Sequence, residues 1–281
     1  MKKISRKIRQ YLPFSRAGVQ SFLVYKAQTF MWLFISFFEL FFIVFLYQAI
    51  YKNSDNGLNS VINGFSFYEI ILYMITSFVF SYIVSSTDTS WNIFTDIQEG
   101  TIANTLTKPV SYRLKHLFTY IGLLAIGYVV IVIPILSIVY GVFLISGLIK
   151  IQVGRFIINV ILFMLFTVLA CLINDALSYL IGLLTFFTEH MFGLNLFKSA
   201  IQNLLSGALI PLSYMGSLGL AFAYTPFAFL NSTPILTLMG KVELLQALIY
   251  IGVGILWVCA LEIFNHYFFR FCVKRVSVQG G

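Results

Sequence analysis

Long apolar stretches dominate this sequence and constrain its fold more than any other feature. Each contains few charged residues, and together they cover residues 29–50, 67–86, 117–142, 156–186, 193–210 and 243–265. Because about 20 helical residues cross the hydrocarbon core of a bilayer, each stretch is predicted to be a membrane-spanning helix. The chain is therefore predicted to be an all-α polytopic membrane protein with six transmembrane helices.

The composition supports this prediction. Hydrophobic residues make up 59% of the 281 residues and charged residues 10%, whereas charged residues make up about a quarter of an ordinary soluble domain. This balance excludes a soluble globular domain and a disordered chain. Residues 1–281 are therefore predicted to form a single transmembrane domain.

The basic residues predict how the spans are oriented. With the N-terminus in the cytoplasm, fourteen of the 18 Lys and Arg residues lie on the cytoplasmic side, as the positive-inside rule requires. Both termini are then predicted to be cytoplasmic. In one alternative, Pro134 marks a turn that splits residues 117–149 into two short crossings and places Lys150 and Arg155 inside.

The N-terminal residues carry an amphipathic helical pattern. Ile4, Ile8 and Leu12 recur every four residues among cations, which is typical of a helix lying in the membrane interface. We expect these cations to contact lipid phosphates, because the chain has no soluble module to hold a nucleic acid.

Residues 206–240 are apolar but contain four glycines and three prolines, Pro211, Pro226 and Pro234. A straight helix does not tolerate this pattern. Non-helical backbone at membrane depth occurs only inside protein or beside a polar cavity. The segment is therefore predicted to be a re-entrant hairpin between the fifth and sixth spans, with a kinked loop in the outer interface as the alternative.

Residues 87–116 form the longest predicted soluble segment and are expected in the cytoplasm. Asp96 and Glu99 favour a short helix there, which Gly100 and Pro109 delimit. Such a helix is predicted either to dock on a partner protein or to be a solvated connector.

Three acidic residues, Glu39, Asp175 and Glu262, lie within the predicted spans. Ionisable groups in hydrocarbon are costly, so each is a candidate for binding a cation or relaying protons. In the structural alternative, Glu39 and Asp175 are protonated or hydrogen-bonded to a neighbouring helix, and Glu262 reaches the inner interface.

Motifs for catalysis are missing from the sequence. GxxxxGK[ST], HExxH, GxSxG and GxGxxG are absent, and the three His and three Cys residues are widely spaced. The chain is therefore not expected to be an enzyme, to bind ATP itself or to hold a metal ion.

Five segments follow one another in a distinctive order: DIQEGTIANTLTKPVSY, TFFTEHMFGL, LLSGALIPLS, TPFAF and the C-terminal VSVQGG. In this combination they resemble the ABC-2 type permeases of bacterial ATP-driven exporters. The resemblance covers nearly the whole chain. It implies the small six-helix branch without a fused ATPase, located in the bacterial cytoplasmic membrane.

The resemblance also implies roles for particular segments. Residues 1–28 would form an elbow helix, residues 87–116 a cytoplasmic coupling segment and residues 206–240 the outer re-entrant hairpin. The residues implied to couple to the ATPase are Asp96, Ile97, Glu99, Gly100, Ile102 and Leu106. Those implied in the hairpin are Gly207, Pro211, Pro226 and Pro234. The candidate substrate path consists of Glu39, Phe37, Phe78, Tyr82, Gln202 and Asn203.

The function that the resemblance implies is that of a permease subunit. With a second permease, identical or related, the chain would form the path for a hydrophobic or amphipathic substrate such as a drug, a lipid or a peptide. Two separate ATP-binding cassette subunits would bind ATP and magnesium, and this chain would carry no cofactor. The alternative is an ion-coupled secondary transporter that uses Glu39 and Asp175.

Overall fold

Eleven α-helices and one short β-hairpin make up the part of the chain that this computed structural model describes, residues 10–102, 107, 110–148, 153–188 and 190–274. The hairpin strands are β1 (Val61–Ile62) and β2 (Phe65–Ser66). The helices are α1 (Leu12–Val24), α2 (Lys26–Lys52), α3 (Phe67–Ser85), α4 (Ser90–Gln98), α5 (Tyr112–Gly127), α6 (Ile133–Ile145), α7 (Val153–Leu184), α8 (Met191–Leu205), α9 (Ser217–Phe222), α10 (Ser232–Leu238) and α11 (Leu244–Val273).

Five helical stretches in the described residues are long and apolar enough to cross a bilayer. They are Ala27–Lys52, Phe67–Gln98, Tyr112–Ile145, Gly154–Leu184 and Leu244–Val273. These correspond to the predicted spans one, two, three, four and six. The prediction of a helical, multi-pass membrane protein is therefore confirmed.

The predicted fifth span, residues 193–210, does not reach the required length. Its helix, α8, has 15 residues and rises about 22 Å, which is less than the roughly 30 Å of a bilayer's hydrocarbon core. The helix ends because Gly207 adopts a left-handed conformation with φ of +82°, and Pro211 follows. A continuous helix over residues 193–210 is therefore wrong, and the count of six spans is not confirmed.

Pro134 does not interrupt the third span. α5 continues through a π-helical turn, Tyr128–Val132, directly into α6. Pro134 lies in the first turn of α6, and the wider π-helical turn before it accommodates the missing N–H group and the proline ring. The alternative of two short crossings with a turn at Pro134 is therefore wrong.

α7 forms the centre of the bundle and contacts α3, α4, α8, α10 and α11. Its fully buried Phe166 and Ile173 belong to a core that also contains Phe80 of α3 and Phe229. In a bilayer the lipid tails are as apolar as these side chains, so close packing rather than exclusion of water holds the helices together.

The two ends of the bundle differ in structure. At the end formed by residues 53–66, here called the β-turn end, Asn63 and Gly64 have φ of +48° and +81° and connect β1 to β2 in a two-residue turn. Ser66 then caps α3, because its side chain accepts from the Glu69 N–H while the Glu69 carboxylate accepts from the Ser66 N–H. The opposite end, formed by residues 86–102 and 110–111, is called the α4 end.

α1 packs along the first half of α5. The Ser15 hydroxyl donates to the Phe118 carbonyl oxygen over 2.7 Å, and the two backbones approach closely at Gly18 and Gly122. A Cβ atom on Gly122 would lie 1.8 Å from the Ser15 carbonyl oxygen, so only glycine fits there. The interfacial orientation expected for this helix stays a prediction, and residues 4–8 of its pattern lie outside the described residues.

α2 stands apart from the rest of the bundle. Tyr47 and Tyr51, near its C-terminal end, are its only buried side chains among those described. The Tyr51 hydroxyl donates to the Phe65 carbonyl oxygen over 2.7 Å. Its exposed aromatic residues include Phe34, Phe37, Phe38, Phe41, Phe42 and Phe45. The packing of α2 is therefore concentrated at the β-turn end.

Candidate functional site

A cleft of about 610 Å³ lies between α2 and the bundle, with walls from α1, α2, α3, α5 and α8. Four residues of the predicted substrate path line it: Glu39, Phe78, Tyr82 and Asn203. Its volume lies within the range of about 300–1,000 Å³ that is typical of small-molecule sites. The structure thus brings most of the predicted path residues together in one space.

Two residues of the predicted path do not line the cleft. Phe37 is 62% exposed on α2, and the Gln202 side chain donates to the Asn174 side-chain oxygen over 3.0 Å. Neighbouring residues on a helix point about 100° apart, so Gln202 and Asn203 face different surroundings. Phe37 and Gln202 therefore do not line this cleft, and their place in a substrate path stays a prediction.

A serine stripe on α3 forms a polar wall of the cleft that the sequence analysis did not identify. Ser77, Ser81 and Ser85 line the cleft and are four residues apart, which places them on one helix face. The Ser77 hydroxyl donates to the Ala208 carbonyl oxygen over 3.1 Å, and Ser81 accepts from the Asn231 amide over 2.5 Å. The four-residue spacing of these serines within an apolar stretch is the sequence pattern that would have predicted a polar helix face.

The broken segment, residues 206–240, returns to its starting point beside α3. The Gly207 carbonyl oxygen accepts from the Tyr73 hydroxyl over 2.8 Å, and the Ser206 carbonyl oxygen accepts from the Ser232 N–H over 2.9 Å. The start of the segment and Ser232 therefore meet beside α3.

Between these points the segment reaches the β-turn end, where the Tyr214 and Tyr51 hydroxyls are 3.0 Å apart. Burial and this hydrogen bond raise the pKa of the Tyr214 phenol above its ordinary value. After Ser232 the chain returns to the same end, where Lys241 donates to the Gly64 carbonyl oxygen over 2.7 Å.

The four residues assigned to the hairpin occupy its bends. At Gly207 a Cβ atom would lie 3.0 Å from the Ser232 Cβ, and the left-handed conformation also favours glycine. Pro211 precedes a 3₁₀ turn, Pro226 lies in the connection after α9, and Pro234 lies in the first turn of α10. At each of these positions the backbone nitrogen is not required to donate a helical hydrogen bond, so proline is tolerated.

One face of α4 packs against the C-terminal turns of α7 and α11. Ile93 and Ile102 are buried there in a cluster with Tyr179 and Leu183. Ile97 is half-buried and packs against the same cluster. These three isoleucines hold the segment in place.

The opposite face of α4 is exposed. Its exposed residues, with the turn that follows, are Trp91, Asn92, Thr95, Gln98, Glu99 and Gly100. The helix ends because Gly100 has φ of +70°. Of the predicted coupling residues, Glu99 and Gly100 are thus accessible to a partner, whereas Leu106 lies outside the described residues.

Asp96, also predicted to couple, points toward α5. The Tyr112 hydroxyl donates to Asp96 Oδ2 over 2.8 Å, and the Thr101 hydroxyl donates to Oδ1 over 3.0 Å. The ammonium of Lys115 lies 3.9 Å from the same carboxylate. Asp96 therefore ties α4 to the first turn of α5.

Arg113 joins three helices through ion pairs. Its Nη1 lies 2.6 Å from Asp175 Oδ2 on α7, and its Nη2 donates to Glu262 Oε1 on α11 over 2.5 Å. The guanidinium carbon lies 4.6 Å from the centre of the Tyr179 ring. Asp175 and Glu262 therefore hold α5, α7 and α11 together, and Asp175 does not share a site with Glu39.

Polar contacts connect α4 to the cleft through α8. The buried Lys198 on α8 forms an ion pair with the half-buried Asp88 and donates to the Ser178 hydroxyl over 3.2 Å. Asp88 also accepts from the backbone N–H of Ser90, the first residue of α4, over 2.9 Å. Asn203 lines the cleft on the same helix as Lys198. These contacts therefore connect the start of α4 to the helix that carries Asn203.

The described residues contain no group of three or more His, Cys, Asp or Glu side chains that could hold a metal ion. A second cavity, of about 430 Å³, lies between α5 and α11 at the α4 end. Arg113 and Glu262 line this cavity and form an ion pair with each other. Their two charges therefore compensate each other.

Comparison with known proteins gives one match. The family described as ABC-2 family transporter protein matches residues 33–280. No curated protein and no solved structure matches significantly. The matched region contains Ser36 and Glu39 of α2, the cleft-lining residues of α3 and α8, the whole of α4 and the broken segment. Since it covers well over half of the 281 residues, the chain belongs to the ABC-2 family of transporters and is a permease component of an ABC transporter.

Proposed function

We propose that this chain is the permease subunit of a bacterial ATP-driven exporter. Membership of the ABC-2 family implies ATP-binding subunits as partners. We propose two of them, as separate polypeptides that hold ATP and magnesium, because this sequence lacks the phosphate-binding motif GxxxxGK[ST]. The substrate is hydrophobic or amphipathic, of the drug, lipid or peptide class, since the cleft combines aromatic and hydroxyl side chains.

The observation that carries this proposal is the two-sided packing of α4. Its buried face and Asp96 fix the helix to α7 and α5, so contact with its exposed face would move it as a rigid unit. The Asp88–Lys198 pair then passes the movement to α8 and so to the cleft. We propose that closure of the ATP-binding subunits drives this movement.

A second permease, identical or related, completes the path in this proposal. α2 forms one wall of the cleft, and its phenylalanine residues are largely exposed. We place the seam between the two permeases at α2, α3 and α8. Lipid covers the remaining apolar surface.

The pair of changes Trp91→Ala and Glu99→Lys is expected to abolish co-purification of the ATP-binding subunits. Both side chains are exposed on α4, and removal of a large aromatic residue from an interface commonly costs more than about 2 kcal/mol of binding. The measurement is the amount of ATP-binding subunit recovered per permease after pull-down in mild detergent.

The matched control for this experiment is Glu243→Lys. Glu243 is equally exposed but lies at the start of α11, toward the β-turn end, so the same change of charge should leave recovery unaffected. Recovery of the ATP-binding subunits at the wild-type level with the α4 variant would contradict the coupling role of α4.

We propose that the α4 end faces the cytoplasm, that both termini are cytoplasmic and that residues 206–240 form a re-entrant hairpin on the outer side. The excess of basic residues near the α4 end and the return of the segment to Ser232 support this. In a variant without native cysteines, Ser217→Cys should react with an impermeant maleimide in intact cells. Thr95→Cys on α4 should react only in inverted vesicles, and the reverse pattern would contradict the orientation.

A further inference from the structure

Glu39 places a carboxylate in the wall of the cleft. Among the described residues that line the cleft, none is Lys, Arg, His or Asp, and no other is Glu. Among the described residues, no basic side chain forms an ion pair with Glu39. The carboxylate of Glu39 therefore has no ion-pair partner among the described side chains.

The depth of Glu39 makes this charge costly when it is uncompensated. Glu39 is the middle residue of α2, about 20 Å along the helix from either end. Ser81 on the facing wall lies a similar distance from the start of α3. A carboxylate near the middle of a bilayer requires a compensating positive charge or a proton.

The other walls of the cleft suit the apolar part of a ligand. Phe22, Tyr25, Phe78 and Tyr82 line it and present aromatic rings. Such rings attract cations through their faces and also cover apolar groups. The hydroxyl of Ser36, one turn before Glu39 on α2, lines the same cleft and can accept a hydrogen bond from a charged nitrogen. A volume of about 610 Å³ fits a molecule of drug size rather than a polymer.

We propose that the cleft binds an amphipathic organic cation of drug size. Its positive charge lies at Glu39, and its apolar body packs against Phe78 and Tyr82. This assignment narrows the substrate class of the proposed function, and it rests on that function for the step in which the bound cation is exported.

The test compares two probes of the same shape and opposite charge, tetraphenylphosphonium and tetraphenylborate. Binding of each to the purified full-length chain in detergent micelles is measured separately by equilibrium dialysis. We expect saturable binding of tetraphenylphosphonium that Glu39→Gln weakens by about tenfold or more, which corresponds to about 1.4 kcal/mol. Tetraphenylborate should show only the partitioning seen with empty micelles.

Two further variants separate the charge of Glu39 from an effect on folding. Glu39→Asp keeps the carboxylate and should keep most of the affinity for tetraphenylphosphonium. Glu243→Gln removes a carboxylate outside the cleft and should bind like the wild type. Equal affinity of the wild type and Glu39→Gln for tetraphenylphosphonium overturns the proposal, as does saturable binding of tetraphenylborate that is equally tight.

The outcome is distinguishable from that of the proposed function. If the ATP-binding subunits co-purify and drive transport of a neutral dye while tetraphenylphosphonium binding is indifferent to Glu39, the exporter proposal stands and the cation site fails. If binding depends on Glu39 but no ATP-binding subunit associates with the chain, the cation site stands and the exporter proposal fails.

Discussion

Replacement of Arg113 by methionine is expected to destabilise the folded protein by about 3–5 kcal/mol. The Asp175 side chain is only 3% exposed, and Arg113 is the basic residue paired with it. Methionine keeps much of the packing volume but leaves a buried carboxylate without a positive partner. Glu262 on α11 would lose its contact with α5 in the same step. The measurement is the free energy of unfolding, from titration with a denaturing detergent followed by circular dichroism.

Two controls show whether the buried charge is the cause. Arg270→Met removes an exposed cation from α11 and should change the free energy of unfolding by less than about 0.5 kcal/mol. Arg113→Met combined with Asp175→Asn should recover much of the loss, because no unpaired charge then remains at Asp175. A single Arg113→Met variant as stable as the wild type would contradict the role of these ion pairs.

Gly122→Ala is expected to have the second largest effect, a loss of about 1–3 kcal/mol with displacement of α1. The added methyl group would lie 1.8 Å from the Ser15 carbonyl oxygen, so the two helices cannot keep their separation. The same detergent titration measures the loss of stability. Limited trypsin digestion measures the displacement, since cleavage after the exposed Arg16 in α1 should become faster when the helix detaches.

Gly141→Ala provides the matched control for this helix contact. Gly141 lies in α6, and a Cβ atom there would meet nothing within 4 Å. The change should be neutral or stabilising by up to about 1 kcal/mol, because alanine favours the helix. If the two alanine variants had equal stability and equal sensitivity to trypsin, the close approach of α1 and α5 would not be what holds α1 in place.

The membrane spans could be predicted from sequence wherever a span is a continuous helix. Local hydropathy identifies α2, α3, α7 and α11 because each carries enough consecutive apolar residues. It fails at residues 193–210, where Asn195, Lys198, Gln202 and Asn203 interrupt the apolar residues. The end of α8 depends on the conformation of Gly207 and on its close contact with Ser232, which is distant in sequence. The packing of α1 cannot be predicted from the local sequence for the same reason. Gly18 and Ser15 contact residues that are more than a hundred positions away in the chain.

The candidate site was predictable in part. Glu39 and Asn203 are conspicuous as polar residues in apolar stretches, and both line the cleft. The role of Arg113 could not be predicted, because nothing in the sequence around it indicates that its partners are Asp175 and Glu262. For Asp96 the sequence indicates a different contact from the one observed. Its place in the segment DIQEGTIANTLTKPVSY predicts contact with a partner protein, but its carboxylate accepts a hydrogen bond from Tyr112 of the same chain.

The attachment of α2 through Tyr47 and Tyr51 has a consequence for selectivity. Because the buried side chains of α2 lie near its C-terminal end, its N-terminal half can change its distance from α3 without unpacking the core around Phe166 and Phe229. Under the proposed function, substitutions in the N-terminal half of α2 would therefore alter which molecules the cleft admits at little cost to folding. This wall of the cleft can then vary between relatives while the core stays constant.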